Sequence, residues 1–178
     1  MIIIIGIAGA GKSTQGQLLA QRLSCPWLSV GQLLRQNMDE AHKQRMLAGE
    51  MVEDEQLIPI LNAELKRLGA DKNEIILDGS PRTRRQAEWL AGKVKSGEVK
   101  MTAVVHLSAS KQTVKDRLLK RGRPDDTEAA IDQRFLEYDR TIVPILDYLR
   151  TQDFKIYDID GTGPAEKDAE LIKQALGF

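Results

Sequence analysis

Short runs of consecutive apolar residues alternate along the chain with longer stretches whose apolar positions recur every three to four residues. Ile2–Ile5, Glu74–Leu77, Thr102–Leu107 and Phe154–Ile159 are near-continuous apolar runs, the pattern of strands covered on both faces in a parallel sheet. Pro26–Ser29 is a weaker fifth candidate. Helical spacing predicts helices at 13–23, 31–47, 54–68, 84–95, 110–121, 127–150 and 165–176,. Strands alternating with helices predict a three-layer α/β fold, a parallel sheet with helices on both faces. Two helical stretches, 31–68, separate the second strand from the third, so this segment is expected to stand off the sheet as a small lobe. Pro144 lies inside the longest helical pattern and is expected to kink or interrupt it. With no linker or repeat, residues 1–178 read as a single domain,.

The first apolar run leads directly into Gly6-Ile7-Ala8-Gly9-Ala10-Gly11-Lys12-Ser13. This is the phosphate-binding loop G-x-x-x-x-G-K-[ST], in the strand–loop–helix context it requires. Glycines let the backbone curl so that successive N–H groups point at phosphate oxygens, and the following helix adds its positive end. Lys12 is a mobile charge for the outer phosphates, and Ser13 can ligate magnesium. The run Glu74–Leu77 leads straight into Asp78, where P-loop proteins place a carboxylate on or near that cation. The loop predicts nucleotide phosphate binding, and leaves motor, switch and kinase functions open.

Composition narrows the field. Lys plus Arg and Asp plus Glu both total 26, giving no net formal charge. Such a balance argues against a dedicated nucleic-acid or membrane-surface binder. The lone Cys25 permits neither an internal disulfide nor a multi-cysteine metal cage,. No run approaches the roughly 20 apolar residues of a membrane span, and the N-terminal run lacks the features of a secretion signal. The expected compartment is the cytoplasm. A GTPase switch would carry an N-K-x-D segment, and none occurs.

Further motifs follow in order. Ser29-Val30-Gly31-Gln32-Leu33-Leu34-Arg35, Gly49-Glu50-Met51-Val52-Glu53-Asp54-Glu55, Asp78-Gly79-Ser80-Pro81-Arg82-Thr83-Arg84-Arg85-Gln86-Ala87 and Arg117 through Asp126 punctuate the chain. Together with Gly9–Gln15 they resemble the adenylate kinases, of the nucleoside monophosphate kinase family, from residue 2 to about 164. Four departures stand out: Ser13 and Val30 where the family has glycine and threonine, Gln32 for aspartate, and Ser80 for phenylalanine. Only Arg123 and Pro124 separate Gly122 from Asp125, which resembles the short-lid members that carry no zinc.

The resemblance implies a sheet of order 2-3-1-4-5, a nucleotide-binding lobe at 30–59 and a lid loop at 121–127. It implies ATP and Mg2+ as co-substrates, AMP as acceptor, and a monomer that acts on small nucleotides. Gly9, Ala10, Gly11, Lys12, Ser13, Thr14, Arg117, Arg121 and Gly163 would hold ATP, with Arg117 flanking its adenine. Val30, Arg35, Glu50, Met51, Val52, Gly79, Ser80, Pro81, Arg82, Gln86, Arg123 and Arg134 would form the AMP side. Ser13 and Asp78 would hold magnesium, the latter through water. Lys12, Arg82, Arg121, Arg123 and Arg134 would carry catalysis. No general base is expected, because the attacking phosphate oxygen is already anionic; His42 and His106 are expected to stay out of the chemistry. Gln86 carries the donor and acceptor pair that suits an adenine edge. A kinase for CMP, UMP or a metabolite hydroxyl, and a binding protein without turnover, remain alternatives.

Overall fold

The structure, a computed structural model, describes residues 1–40, 52–122 and 126–178. Five strands form one parallel sheet in the order β2-β3-β1-β4-β5. They are β1 (Ile2–Gly6), β2 (Trp27–Ser29), β3 (Ile76–Asp78), β4 (Ala103–Ser108) and β5 (Ile156–Asp160). The helices, numbered along the described chain, are α1 (Lys12–Leu23), α2 (Val30–Asn37), α3 (Asp54–Leu68), α4 (Arg84–Lys95), α5 (Lys111–Arg121), α6 (Glu128–Thr151) and α7 (Ala165–Leu176). The predicted α/β architecture and strand order are both observed. Several strands end one residue beyond the apolar run that announced them, because pairing decides the end: Gly6 stands opposite Leu107 and Ser108 opposite Asp160.

Strand alternation divides the core into two layers. Met1, Ile3 and Ile5 pack with Leu28, Leu77, Leu90 and the α6 residues Ile145, Leu146 and Leu149. Ile2 and Ile4 turn the other way, toward Leu19, Val105, Leu118, Ile131 and Ile172. Each of the five β1 and leading positions Met1–Ile5 is at most 3% exposed. That explains why this strand reads as an unbroken apolar run: β1 lies between β3 and β4, with helices over both faces.

Three expectations change. α2 ends at Asn37, short of residue 47: Met38 is extended, with φ −111° and ψ 153°, and the Asn37 amide caps Leu33 O at 2.8 Å. Residues 41–51, which include His42, Glu50 and Met51, lie outside the described residues. α3 does not stand clear of the sheet, because Leu57, Leu61 and Leu65 are buried in the same layer as Met1 and Ile3. α6 runs unbroken through Pro144. One missing N–H is outweighed there by the buried anchors Ile145, Leu146 and Leu149 immediately beyond it,.

Candidate active site

The carboxyl ends of β1, β3 and β4 meet where the chain winds from one half of the sheet to the other, the place where open α/β sheets bind ligands. The loop from Gly6 to Lys12 lies there. Gly9 and Gly11 have φ of 86° and 99°, a region costly to residues with a side chain. Those turns bring the backbone into the positive end of α1. Ala10 is fully buried. Thr14, on the first turn of α1, is exposed at its mouth.

Lys12 Nζ donates to Ile7 O at 2.9 Å, folding its ammonium into the loop. Loss of solvent lowers its pKa to about 8; the positive charges of Arg82 and Arg121 push the same way, and Asp78 opposes them,. Ser13 Oγ donates to Asp78 Oδ2 at 2.6 Å, joining the start of α1 to the end of β3. This hydroxyl and carboxylate are the hard oxygen donors that suit magnesium, which takes one or two protein carboxylates and fills its shell with phosphates and water. Among the described residues no cluster of three or more His, Cys, Asp or Glu could hold a metal by itself.

Two arginines approach from the far side of the chain. Arg121 binds Asp126 through both Nε (2.9 Å) and Nη2 (2.7 Å). Arg134 Nη1 donates to the same carboxylate at 2.9 Å. The Asp126 side chain is fully enclosed, while those of Arg121 and Arg134 keep 35% and 22% of their exposure. One buried carboxylate therefore pins two guanidinium groups from α5 and α6. Asp126 had been only a motif letter in the sequence; its separations of 5 and 8 residues from these arginines were the available signal. Arg123 lies outside the described residues.

Of the residues expected on the acceptor side, Arg82 is exposed and its Nε donates to Gly79 O at 3.0 Å. A side chain at Gly79 would begin 3.5 Å from Val30 Cβ and 3.6 Å from the Arg82 guanidinium. Arg35 is exposed in the last turn of α2 and curls back over Gly31. Val52 packs against the core beside α3, and Pro81 is buried after a cis peptide bond. Gln86, expected to offer both halves of its amide, already has partners on both. Its Oε1 accepts from Ser80 Oγ (3.1 Å) and Arg82 N (2.8 Å), and its Nε2 donates to Asp54 Oδ1 at 2.7 Å.

Arg117, expected to flank the donor base, is likewise more engaged than expected. Arg117 Nη1 donates to Gly161 O at 2.6 Å and Ala10 O at 3.5 Å, and Nη2 to Gly163 O at 2.6 Å. Its fork ties the phosphate loop to the turn after β5.

A parallel sheet with a phosphate loop at its switch point, closed by arginines from remote segments, defines a P-loop phosphotransferase. The adenylate kinase family model matches residues 4–154. Relatives include an adenylate kinase of Corynebacterium urealyticum, 35% identical over 181 residues and covering 98% of both chains. Adenylate kinase 1 of a Nostoc species is 36% identical over 182 residues, covering 99% of this chain and 98% of its own. An adenylate kinase of Oenococcus oeni is 34% identical over 183 residues, 98% of this chain and 96% of that one. The chain belongs to the adenylate kinase family, enzymes of the nucleoside monophosphate kinase class.

Proposed function

We infer that the chain transfers the γ-phosphoryl group of ATP reversibly to AMP, giving two ADP, with the division of labour set out here. One observation carries it. Burial lowers the Lys12 pKa most, and Arg82 and Arg121, from distant parts of the sequence, lie close enough to lower it by more than Asp78 offsets. Gathering like charges costs stability unless an anion offsets it, and two nucleotides meeting end to end supply that anion.

An AMP phosphate oxygen attacks the γ-phosphorus as the bond to the β-bridging oxygen breaks. Lys12 and the arginines neutralise charge on the transferring group, and its loose transition state needs positioning more than acid–base chemistry. Ser13 and Asp78 would hold magnesium, which when bound supplies charge neutralisation on the phosphates. Arg35, Val52, Gly79, Ser80 and Arg82 form the AMP side, with Glu50, Met51 and Arg123 assigned there by sequence alone. Gly9–Thr14, Arg117 and Gly163 form the ATP side. We read the protein as a monomer. Its substrates are the free nucleotide pools of the cytoplasm, where we place it. Among the described residues no helix is long and apolar enough to cross a membrane.

The test is a coupled assay with ATP and AMP, CMP, UMP or GMP in turn. AMP should give the largest kcat/KM, and a larger value for CMP or UMP would overturn the acceptor assignment.

A further inference from the structure

Among the described residues, two side chains near the phosphate loop are buried with one oxygen left without a hydrogen-bond partner: Gln15 Oε1 and Asp168 Oδ1. Both residues are 2% exposed, and a buried polar atom left unpaired costs stability. Both act on one segment, the turn from β5 into α7. Gln15, in the first half of α1, donates through Nε2 to Ala165 O at 2.8 Å. Asp168, on the first turn of α7, sets its Oδ1 only 2.8 Å from where a Cβ on Gly163 would begin. Burial raises the Asp168 pKa, helped by Asp160, while the Arg117 charge, the Gly163 N–H and Lys167 oppose the rise,. The turn itself lies against the phosphate loop. A Cβ on Gly161 would lie 3.0 Å from Ala10 O, and Arg117 bonds Gly161 O, Gly163 O and Ala10 O together.

We propose that Asp168 is a positioning residue for the phosphate loop, acting with Gln15 through the turn at 161–165. The proposal rests on ATP as the phosphoryl donor. Packing alone does not call for a carboxylate at this position. Ile172, one turn further on the same face of α7, is 1% exposed and joins Leu19 in an apolar layer,. An apolar side chain at 168 would suit that layer better, because burying a charge is costly. The positive end of α7 offsets part of that cost. What the carboxylate adds is a grip on the turn: it faces the Gly163 N–H and supplies a counter-charge to Arg117, whose fork holds the Gly163 and Ala10 carbonyls. Gln15 fastens the other end of the same turn to α1, the helix that the loop opens. The loop is thereby braced from a segment about 150 residues away in sequence, and its backbone N–H groups stay aimed at phosphate without a touch from Asp168 itself.

The experiment measures calorimetric affinities for ATP, inorganic tripolyphosphate and AMP on the unmodified protein, Asp168→Leu and Asp168→Asn. Tripolyphosphate carries no base, so it reports on the phosphate loop alone. Asp168→Leu should unfold at the same urea concentration or a higher one, because it replaces a buried charge with an apolar group. It should nevertheless lose about 5-fold or more in affinity for both ATP and tripolyphosphate, the scale of a lost charge-assisted contact, while AMP stays within about 2-fold. Asp168→Asn keeps an oxygen for the Gly163 N–H but not the charge, and should fall between the two. General damage to the fold would weaken all three ligands together, so the split between them separates positioning from mere stability. A folded Asp168→Leu that binds ATP and tripolyphosphate as tightly as the unmodified protein overturns the proposal. So does a loss confined to ATP, which would place the effect at the base. If Asp168→Leu does not fold, unchanged tripolyphosphate affinity in Asp168→Asn overturns it instead. Failure to phosphorylate AMP would leave these binding readouts intact, whereas an unmodified protein that binds neither ATP nor tripolyphosphate would sink the functional reading and the proposal with it.

Discussion

At Lys12 the competition between burial and charge has a measurable sign. Its folded pKa, about 8, lies below the ordinary lysine value of 10.5. Between those values the unfolded chain holds a proton that the folded one has released, so this residue makes the ligand-free protein more stable as pH rises from about 8 toward 10.5,. A bound polyphosphate favours the ammonium and reverses the shift. At pH about 8.5, ATP binding should therefore take up a fraction of a proton, seen by calorimetry in buffers of different ionisation enthalpy. Lys12→Met should abolish that uptake, and an equal uptake in the variant would place the titration elsewhere. Gly6 makes a second residue-scale case. A Cβ there would lie 2.3 Å from the Leu107 backbone oxygen, so Gly6→Ala must part β1 from β4. We expect a loss of about 1–3 kcal/mol or more by urea denaturation.

α6 shows how one element can serve both stability and the proposed site. Its second half buries Ile145, Leu146 and Leu149, while its first half carries Arg134 toward Asp126. Deleting the carboxylate with Asp126→Ala leaves two guanidinium groups without this shared partner. We expect about 2–4 kcal/mol of lost stability in denaturant, below the cost at a fully dry pair because both arginines keep some solvent. The rate should fall as well, since Arg121 and Arg134 lose the tether that aims them. Arg134→Ala should raise the barrier by about 3–4 kcal/mol, measured as kcat, as loss of a donor to developing charge typically does. A variant that kept wild-type kcat would remove Arg134 from the mechanism.

Across the whole molecule, β4, β5 and α6 are joined away from the phosphates through His106. Its Nδ1 lies 2.6 Å from Asp158 Oδ1, its Nε2 meets the Tyr138 hydroxyl, and Arg150 reaches Asp158 at 3.4 Å. Burial raises the Tyr138 pKa to about 12, which keeps the phenol neutral in this network at any physiological pH. His106→Ala should cost about 1–3 kcal/mol in thermal unfolding, through the partners it leaves. Because the attacking phosphate needs no base, kcat should stay within a few-fold. A folded but inactive variant would contradict a mechanism without a general base.

Local chemistry made much of this protein legible in its sequence. The phosphate loop is eight consecutive residues whose glycines and lysine must act together, and the buried strands of a parallel sheet must be apolar on both faces. Those features give the α/β fold, the position of the phosphate site and the points where β3 and α1 bring Asp78 and Ser13 to it. Tertiary structure decided what depends on residues brought together from afar. It engaged Gln86 with Asp54, 32 positions away, and Arg117 with Ala10 and Gly163, 107 and 46 positions away. It also carried α6 through Pro144. A propensity or a motif letter records what a side chain can offer, but whether that capacity is already spent is set by which partners packing delivers, and in what geometry.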